Sequence, residues 1–261
     1  MTPDTSLVTL YCPSPNFEPR KDARAAEMLL LHYTGMESAE GALAWLTAPE
    51  SKVSCHYLVD EQGRITQMVA EEMRAWHAGN SHWAGEDDIN SRSIGIEIHN
   101  PGHELGYPDF PNVQMSAVAD LCGDILKRNQ IRPERVLAHS DVAPARKRDP
   151  GEKFDWPRLA KAGIGLWVEP EPVGSGDGLG PGSEGDEVKG LQEALKTFGY
   201  GLEITGTYDA ATKSVVRAFQ RHWRPERVDG RADRSVRVTL ERLIEAMTQG
   251  SGQSGINAVI R

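Results

Sequence analysis

EMLLLHY, residues 27–33, is an unbroken apolar run that ends in a histidine. Such a run has no side to leave in water, which is the pattern of a central strand covered on both faces. Around it, SIGIEIH (93–99) and RVLAH (135–139) read as further strands, and SCHYLVDEQGRITQMV (54–69) as a hairpin turning near Gly63. A helix is expected from Ser38 to Ala48, stopped by Pro49. Another is expected from Ser116 to Asn129, where Val118, Leu121, Cys122, Ile125 and Leu126 share one face. Residues 1–168 are therefore expected to form an α/β domain around a mixed central β-sheet flanked by helices.

The pattern then changes. Residues 169–185, EPEPVGSGDGLGPGSEG, hold six glycines and three prolines in 17 residues and read as an inter-domain linker. Beyond it, Val188, Leu191, Leu195 and Phe198 recur at helical spacing, as do Val215, Phe219 and Trp223, then Val236, Leu240 and Leu243. Three short amphipathic helices are expected over 186–247, with Asp186, Asp209 and Asp233 as N-caps and 248–261 as a flexible tail.

At 261 residues and 39% hydrophobic content, the chain is long enough for one full core and a smaller one. Its 29 basic against 38 acidic residues, a net charge of -9, argue against a nucleic-acid binder, which must neutralise phosphates. No apolar run approaches the ~20 residues that span a bilayer. The first residues lack a basic segment followed by an apolar stretch, which points to the cytoplasm. Cys12, Cys55 and Cys122 form no CxxC pair, so neither a disulfide framework nor a Cys-based zinc knuckle is expected.

LAHSDVAPARKRDPGEKFDW (137–156) crowds His139, Lys147 and Asp149 into one proline-stiffened loop. His32 and His139 each close a predicted strand, where sites collect in α/β sheets. Asp149 lies far enough along for the loop to return to them. A metal site of two imidazoles and one carboxylate fits this spacing. A structural role for each strand-end histidine fits it too.

The words around these residues favour the metal. LLLHYTG (29–35), SCHYLVDEQGRI (54–65), AWHAGNSHW (75–83), INSRSIGIEIHN (89–100) and the 137–156 stretch resemble the zinc-dependent N-acetylmuramoyl-L-alanine amidases of the peptidoglycan-recognition-protein fold, the type-2 amidases, in family order over residues 25–167. GDEVKGLQEALKTFGY (185–200), TGTYDAATKSVVRAFQ (205–220) and VDGRADRSVRVTL (228–240) resemble the three-helix peptidoglycan-binding domain. The resemblance implies one Zn²⁺ on His32, His139 and Asp149, and peptidoglycan or soluble muropeptides as the partner. The carboxylate third ligand, where the phage-lysozyme branch has a cysteine, and Glu97 place the chain with the bacterial amidases. A wall-binding domain suits the periplasm or outer membrane, against the cytoplasmic expectation.

Amide hydrolysis needs a base for the attacking water, charge for the oxyanion and an acid for the leaving amine. Glu97 is the expected base and acid. In SIGIEIH it alternates away from Ile94, Ile96 and Ile98, beside Gly95, which leaves room for substrate. Lys147 is expected to face the carbonyl oxygen. The bland alternatives are a salt-bridged strand carboxylate and a solvated basic run, the latter also the expectation for Arg146 and Arg148. Tyr33, His77, Asn90, Arg92 and Trp83 are candidate substrate contacts, with Trp76 beside Trp83 as an apolar wall. The seven arginines from Arg217 to Arg237 read as solvated helix faces. The rivals to an amidase are a non-catalytic recognition module of the same fold and a phage-type lysin.

Overall fold

The computed structural model describes the backbone of residues 2–256 and the side chains of residues 2–249. Elements follow in chain order: β1 (Leu10–Tyr11), β2 (Phe17–Pro19), β3 (Met28–Tyr33), α1 (Ala39–Thr47), β4 (Tyr57–Val59), β5 (Ile65–Gln67), β6 (Met73–Ala75), α2 (Ile89–Arg92), β7 (Ser93–Ile98), α3 (Asn112–Arg128), β8 (Val136–Ala138), α4 (His139–Val142), α5 (Trp156–Lys161), α6 (Asp186–Phe198), α7 (Ala210–Trp223) and α8 (Arg234–Ile256). Six strands form one mixed sheet in the order β1-β5-β4-β7-β3-β8, and β2 pairs with β6 in a separate ribbon. The EMLLLHY strand is central, parallel to β7 on one side and β8 on the other.

Its apolar run is divided between two cores. Leu29 and Leu31 join Ile94, Ile96 and Ile98 under α3 and α5. Met28 and Leu30 face the other way, into a core made mostly of α6, α7 and α8 residues, including Leu195, Phe198, Phe219, Trp223 and Leu240. The helical unit thus seals the second face of the amidase-like sheet, and the continuous apolar pattern of β3 follows from that.

Several boundaries differ from expectation. Helix α3 begins at Asn112, ahead of Ser116, because nothing before Ser116 breaks it once Pro111 has set the first turn. His139 opens a helical turn rather than closing β8. Gly185, not Asp186, is the residue before α6, while Asp209 and Asp233 do accept from backbone N–H groups at the starts of α7 and α8. Residues 169–185 are strapped to the helices: Leu179 bridges Ala232, Glu184 bridges Thr207, and Glu171 pairs with Arg242. Helix α8 continues to Ile256, past the 247 boundary; residues 257–261 of the expected tail lie outside the described residues.

The arginine series is divided: Arg217, Arg234 and Arg237 are exposed, as expected of solvated helix faces, while Arg224 is buried. Arg224 and Arg227 pair with Asp233, Arg234 pairs with Glu171, and Arg221 reaches Glu152 across to the sheet domain. Cys12, Cys55 and Cys122 are free. Among the described residues, no helix is long and apolar enough to cross a membrane.

Candidate active site

The register of β3 against β7 pairs His32 directly with Glu97, so the two side chains stand side by side on one sheet face. β8 lies on the other side of β3 and delivers His139 at its end. The loop that follows returns Asp149, whose carbonyl accepts from the Ser140 N–H at 3.0 Å. His32, His139 and Asp149 are all buried, with their ligand atoms within 4.8 Å of one another. The two Nδ1 atoms are 2.9 Å apart, and Asp149 Oδ2 lies 3.2 Å from one and 2.9 Å from the other.

Hydrogen-bond accounting shows what these three atoms are. Ser93 Oγ donates to the Ile89 carbonyl at 2.7 Å, so it accepts from His77 Nε2 at 3.3 Å. His77 Nδ1 must then accept from His32 Nε2–H at 3.0 Å, which leaves His32 Nδ1 a bare lone pair. On the other side the Ala78 carbonyl takes the Nε2 proton of His139 at 3.0 Å, so that the ring in its neutral, ligating form presents its own bare Nδ1. Two lone pairs and a carboxylate oxygen converge with no proton between them. A cation satisfies that arrangement, and the outward hydrogen bonds hold each imidazole in the ligating tautomer.

The electrostatics agree. Burial, helped by the neighbouring His139, lowers His32 to about 4, and burial pushes His77 well below the ordinary histidine value. His32 is therefore neutral at neutral pH, as ligation requires, and so is His77, which accepts its Nε2 proton. Burial opposes the ionised Asp149, and only positive charge at the His139 and His32 positions, from protonated imidazole or from a cation bound between them, holds the carboxyl well below its usual range. Glu97 goes the other way, raised well above an ordinary carboxyl by burial and then by the Asp149 charge, with Lys147 opposing. A metal cation would act in the same sense as Lys147.

These groups floor a cleft of about 410 Å³ lined by Tyr33, Trp45, Trp76, His77, Glu97, Lys147 and Arg148 among others. Glu97 Oε2 and Trp76 Nε1 are sealed from solvent and without a partner among the described residues. Lys147 makes no ion pair among them. Trp45, half exposed at 49%, and Val53 form an apolar rim. Tyr33 lines the cleft with its hydroxyl 3.0 Å from His103 Nδ1.

Three candidate contacts are elsewhere. Trp83 is 1% exposed and packs edge-on against Phe198 and Tyr200, a large apolar ring being most stable where both domains cover it. Asn90 is buried and accepts from the His77 and Ala78 N–H groups, so it fixes the strap that carries His77. Arg92 ends α2, just before β7 and beyond the far end of that strand from Glu97, and its guanidinium is neutralised by Glu27 and Glu86. Gly95 leaves no room for substrate either: a Cβ there would lie 2.7 Å from His77 and 2.8 Å from Cys55. Arg146 is exposed, as expected of a solvated run, and also donates to the Ala78 and Asn80 carbonyls at 2.8 Å.

Sequence reasoning missed Asp141, His103 and Glu152, which have no periodic signal. His222 had one that went unused: it stands seven residues after Val215, on the buried side of α7.

Known proteins resemble this chain in sequence and fold. A family model for N-acetylmuramoyl-L-alanine amidase matches residues 22–152, and one for a peptidoglycan binding domain matches residues 184–240. The N-acetylmuramoyl-L-alanine amidase AmiD of Escherichia coli is 37% identical over 247 residues, 88% of either chain. The 1,6-anhydro-N-acetylmuramyl-L-alanine amidase AmpD of Haemophilus influenzae is 32% identical over 56% of this chain and 86% of its own. Among solved structures, E. coli AmiD in complex with the substrate anhydro-N-acetylmuramic acid-L-Ala-D-gamma-Glu-L-Lys superposes with a TM-score of 0.73 at 35% identity, covering 88% of this chain and 92% of that one. AmpDh3 of Pseudomonas aeruginosa gives 0.71 at 34% identity, covering 87% and 94%. With the two-histidine, one-carboxylate cluster in place on a sheet shared along most of both chains, this chain belongs to the N-acetylmuramoyl-L-alanine amidase family.

Proposed function

We propose that the chain cleaves the amide between the lactyl group of N-acetylmuramic acid and the first L-alanine of the stem peptide, using one Zn²⁺ held by His32, His139 and Asp149. The observation that carries the metal is the convergence of three buried acceptors with no proton to share. When bound there, zinc supplies Lewis acidity, acidifying a water and polarising the scissile carbonyl.

The chain's own residues do the rest. Glu97, raised in pKa and aimed into the cleft, takes the proton of the attacking water and returns it to the alanine nitrogen as the C–N bond breaks. The unpaired Lys147 ammonium stabilises the charge that grows on the carbonyl oxygen. His77 and Ala78 hold the two imidazoles in place. Arg146, Lys147 and Arg148 give the cleft one cationic wall, which suits the carboxylates of a stem peptide and takes the role expected of Arg92. Trp45, Trp76 and Val53 offer the opposite chemistry, an apolar surface for the sugar or peptide.

The substrates named for AmiD and AmpD support soluble anhydro-muropeptides as substrates of this chain, and the C-terminal unit supports polymeric peptidoglycan as a second. The test is mass spectrometry of a purified disaccharide-tetrapeptide incubated with the protein, with and without chelator. Chelator-sensitive release of free tetrapeptide is expected. Intact substrate in the presence of zinc-loaded protein would overturn the catalytic reading in favour of a recognition module. Parallel incubation with intact sacculi separates recycling from wall lysis.

A further inference from the structure

We propose that the C-terminal helical domain is a positioning element of the metal centre: the end of α7 holds the His139 turn through Asp141 and the His32 strand end through Tyr33. This rests on the metal reading above. Asp141 is fully buried, two residues after His139 on α4. Its Oδ2 accepts from the Ala138 N–H at 2.8 Å and from His222 Nδ1–H at 2.7 Å, and its Oδ1 accepts from the Tyr200 hydroxyl at 3.0 Å. Two of these three donors come from the helical domain. His222 cannot turn away, because its ring is stacked between Trp156 of α5 and Trp223 of α7, 3.6 Å from each.

A buried carboxylate is stable only with its hydrogen bonds made. If His222 and Tyr200 withdraw, Asp141 keeps one donor and must find water. The turn that opens to admit it is the turn that carries His139. The neighbouring residue makes the second link. Arg221 Nε lies 3.7 Å from Glu152 Oε2, Glu152 accepts from His103 Nε2–H at 3.2 Å, and His103 Nδ1 accepts from the Tyr33 hydroxyl at 3.0 Å. Tyr33 follows His32 in β3. Adjacent residues of one helix thus reach both histidine-bearing strand ends, so a domain that resembles a wall tether also sets the spacing of the metal's nitrogen ligands.

The test uses the full-length chain with Tyr200→Phe and His222→Phe combined, which leaves an aromatic ring at each position and removes both donors. Zn²⁺ affinity is measured by competition with a chromophoric chelator, and the Co²⁺-loaded protein is examined by its visible d–d bands, with near-UV circular dichroism as the check on folding. Affinity is expected to fall about tenfold, the lower end for loss of an outer partner of a metal ligand, with shifted d–d bands. His222→Asn, which keeps a side-chain N–H near the Nδ1 position, is expected to recover most of the loss. If the double variant does not fold, Tyr200→Phe alone, which deletes one hydroxyl, is read by the same two signals. A folded variant with wild-type affinity and wild-type bands overturns this proposal alone. Wild-type protein that binds no Zn²⁺ overturns the metal reading and this proposal with it.

Discussion

His139 and Asp141 are two residues apart on one helical turn, both buried, and they belong to opposite kinds of polar cluster. On the cleft side, His139 meets His32 and Asp149 acceptor to acceptor, and Glu97 Oε2 and Trp76 Nε1 lack partners among the described residues. On the domain seam, Asp141 meets three donors and the surrounding volume is filled by aromatic rings. A buried cluster whose donors and acceptors match is complete and serves the fold. A buried cluster of acceptors alone is incomplete and is waiting for a ligand. Trp76 and Trp83 repeat the contrast, one in the cleft wall with an orphan N–H and the other 1% exposed between the domains.

The contrast can be broken at several points. The largest effect is expected from Asp149→Ala, which should lower Zn²⁺ affinity more than about 100-fold, beyond what the loss of an outer partner costs, and abolish amide cleavage. Isothermal titration with Zn²⁺ reading wild-type affinity would mean that the cleft cluster is not a metal site. Next, Glu97→Ala should keep the metal and lose ~10² to 10⁴ in turnover, as for removal of a general base; unchanged kcat on a muropeptide would remove Glu97 from the chemistry.

On the seam, Trp83→Ala should cost about 3–5 kcal/mol of stability, as for an aromatic deleted from a core, with KM for a muropeptide unchanged. A raised KM with an unchanged denaturation midpoint would return Trp83 to the substrate groove. The smallest effect is a pH signature. Because Glu97 is raised in the folded state, the metal-free protein binds more protons folded than unfolded above the ordinary carboxyl value, so stability falls as pH rises from there through the raised pKa. Glu97→Gln, neutral at every pH, should gain a few degrees in Tm over wild type near neutrality, and the gain should vanish in acid. The gain should also shrink in zinc-loaded protein. A Tm difference independent of pH would mean that Glu97 is not held in a charge-hostile site.

Much of this was legible in order along the chain. The apolar run of β3 required cover on both faces, the period of two in SIGIEIH separated Glu97 from its isoleucines, and the helical periods after residue 185 marked each buried position of α6, α7 and α8 that was named. His32, His139 and Asp149 were candidates from two predicted strand ends and a proline-stiffened loop, and only the family resemblance singled them out as a set. Asn90, Arg92 and Trp83, residues whose type admits either role, lie outside the cleft lining.

The sequence by itself determined the central strands and the main helices, because periodicity and turn chemistry are local and act through near neighbours in the chain; the candidate ligand set came from the family resemblance. Tertiary structure alone decided which tryptophan faces the cleft, that residues 169–185 are strapped down, and that α7 reaches the histidine-bearing strand ends. Those depend on donors brought from far along the chain: His222 lies 81 residues from Asp141, and no local pattern records which distant group will satisfy a buried charge.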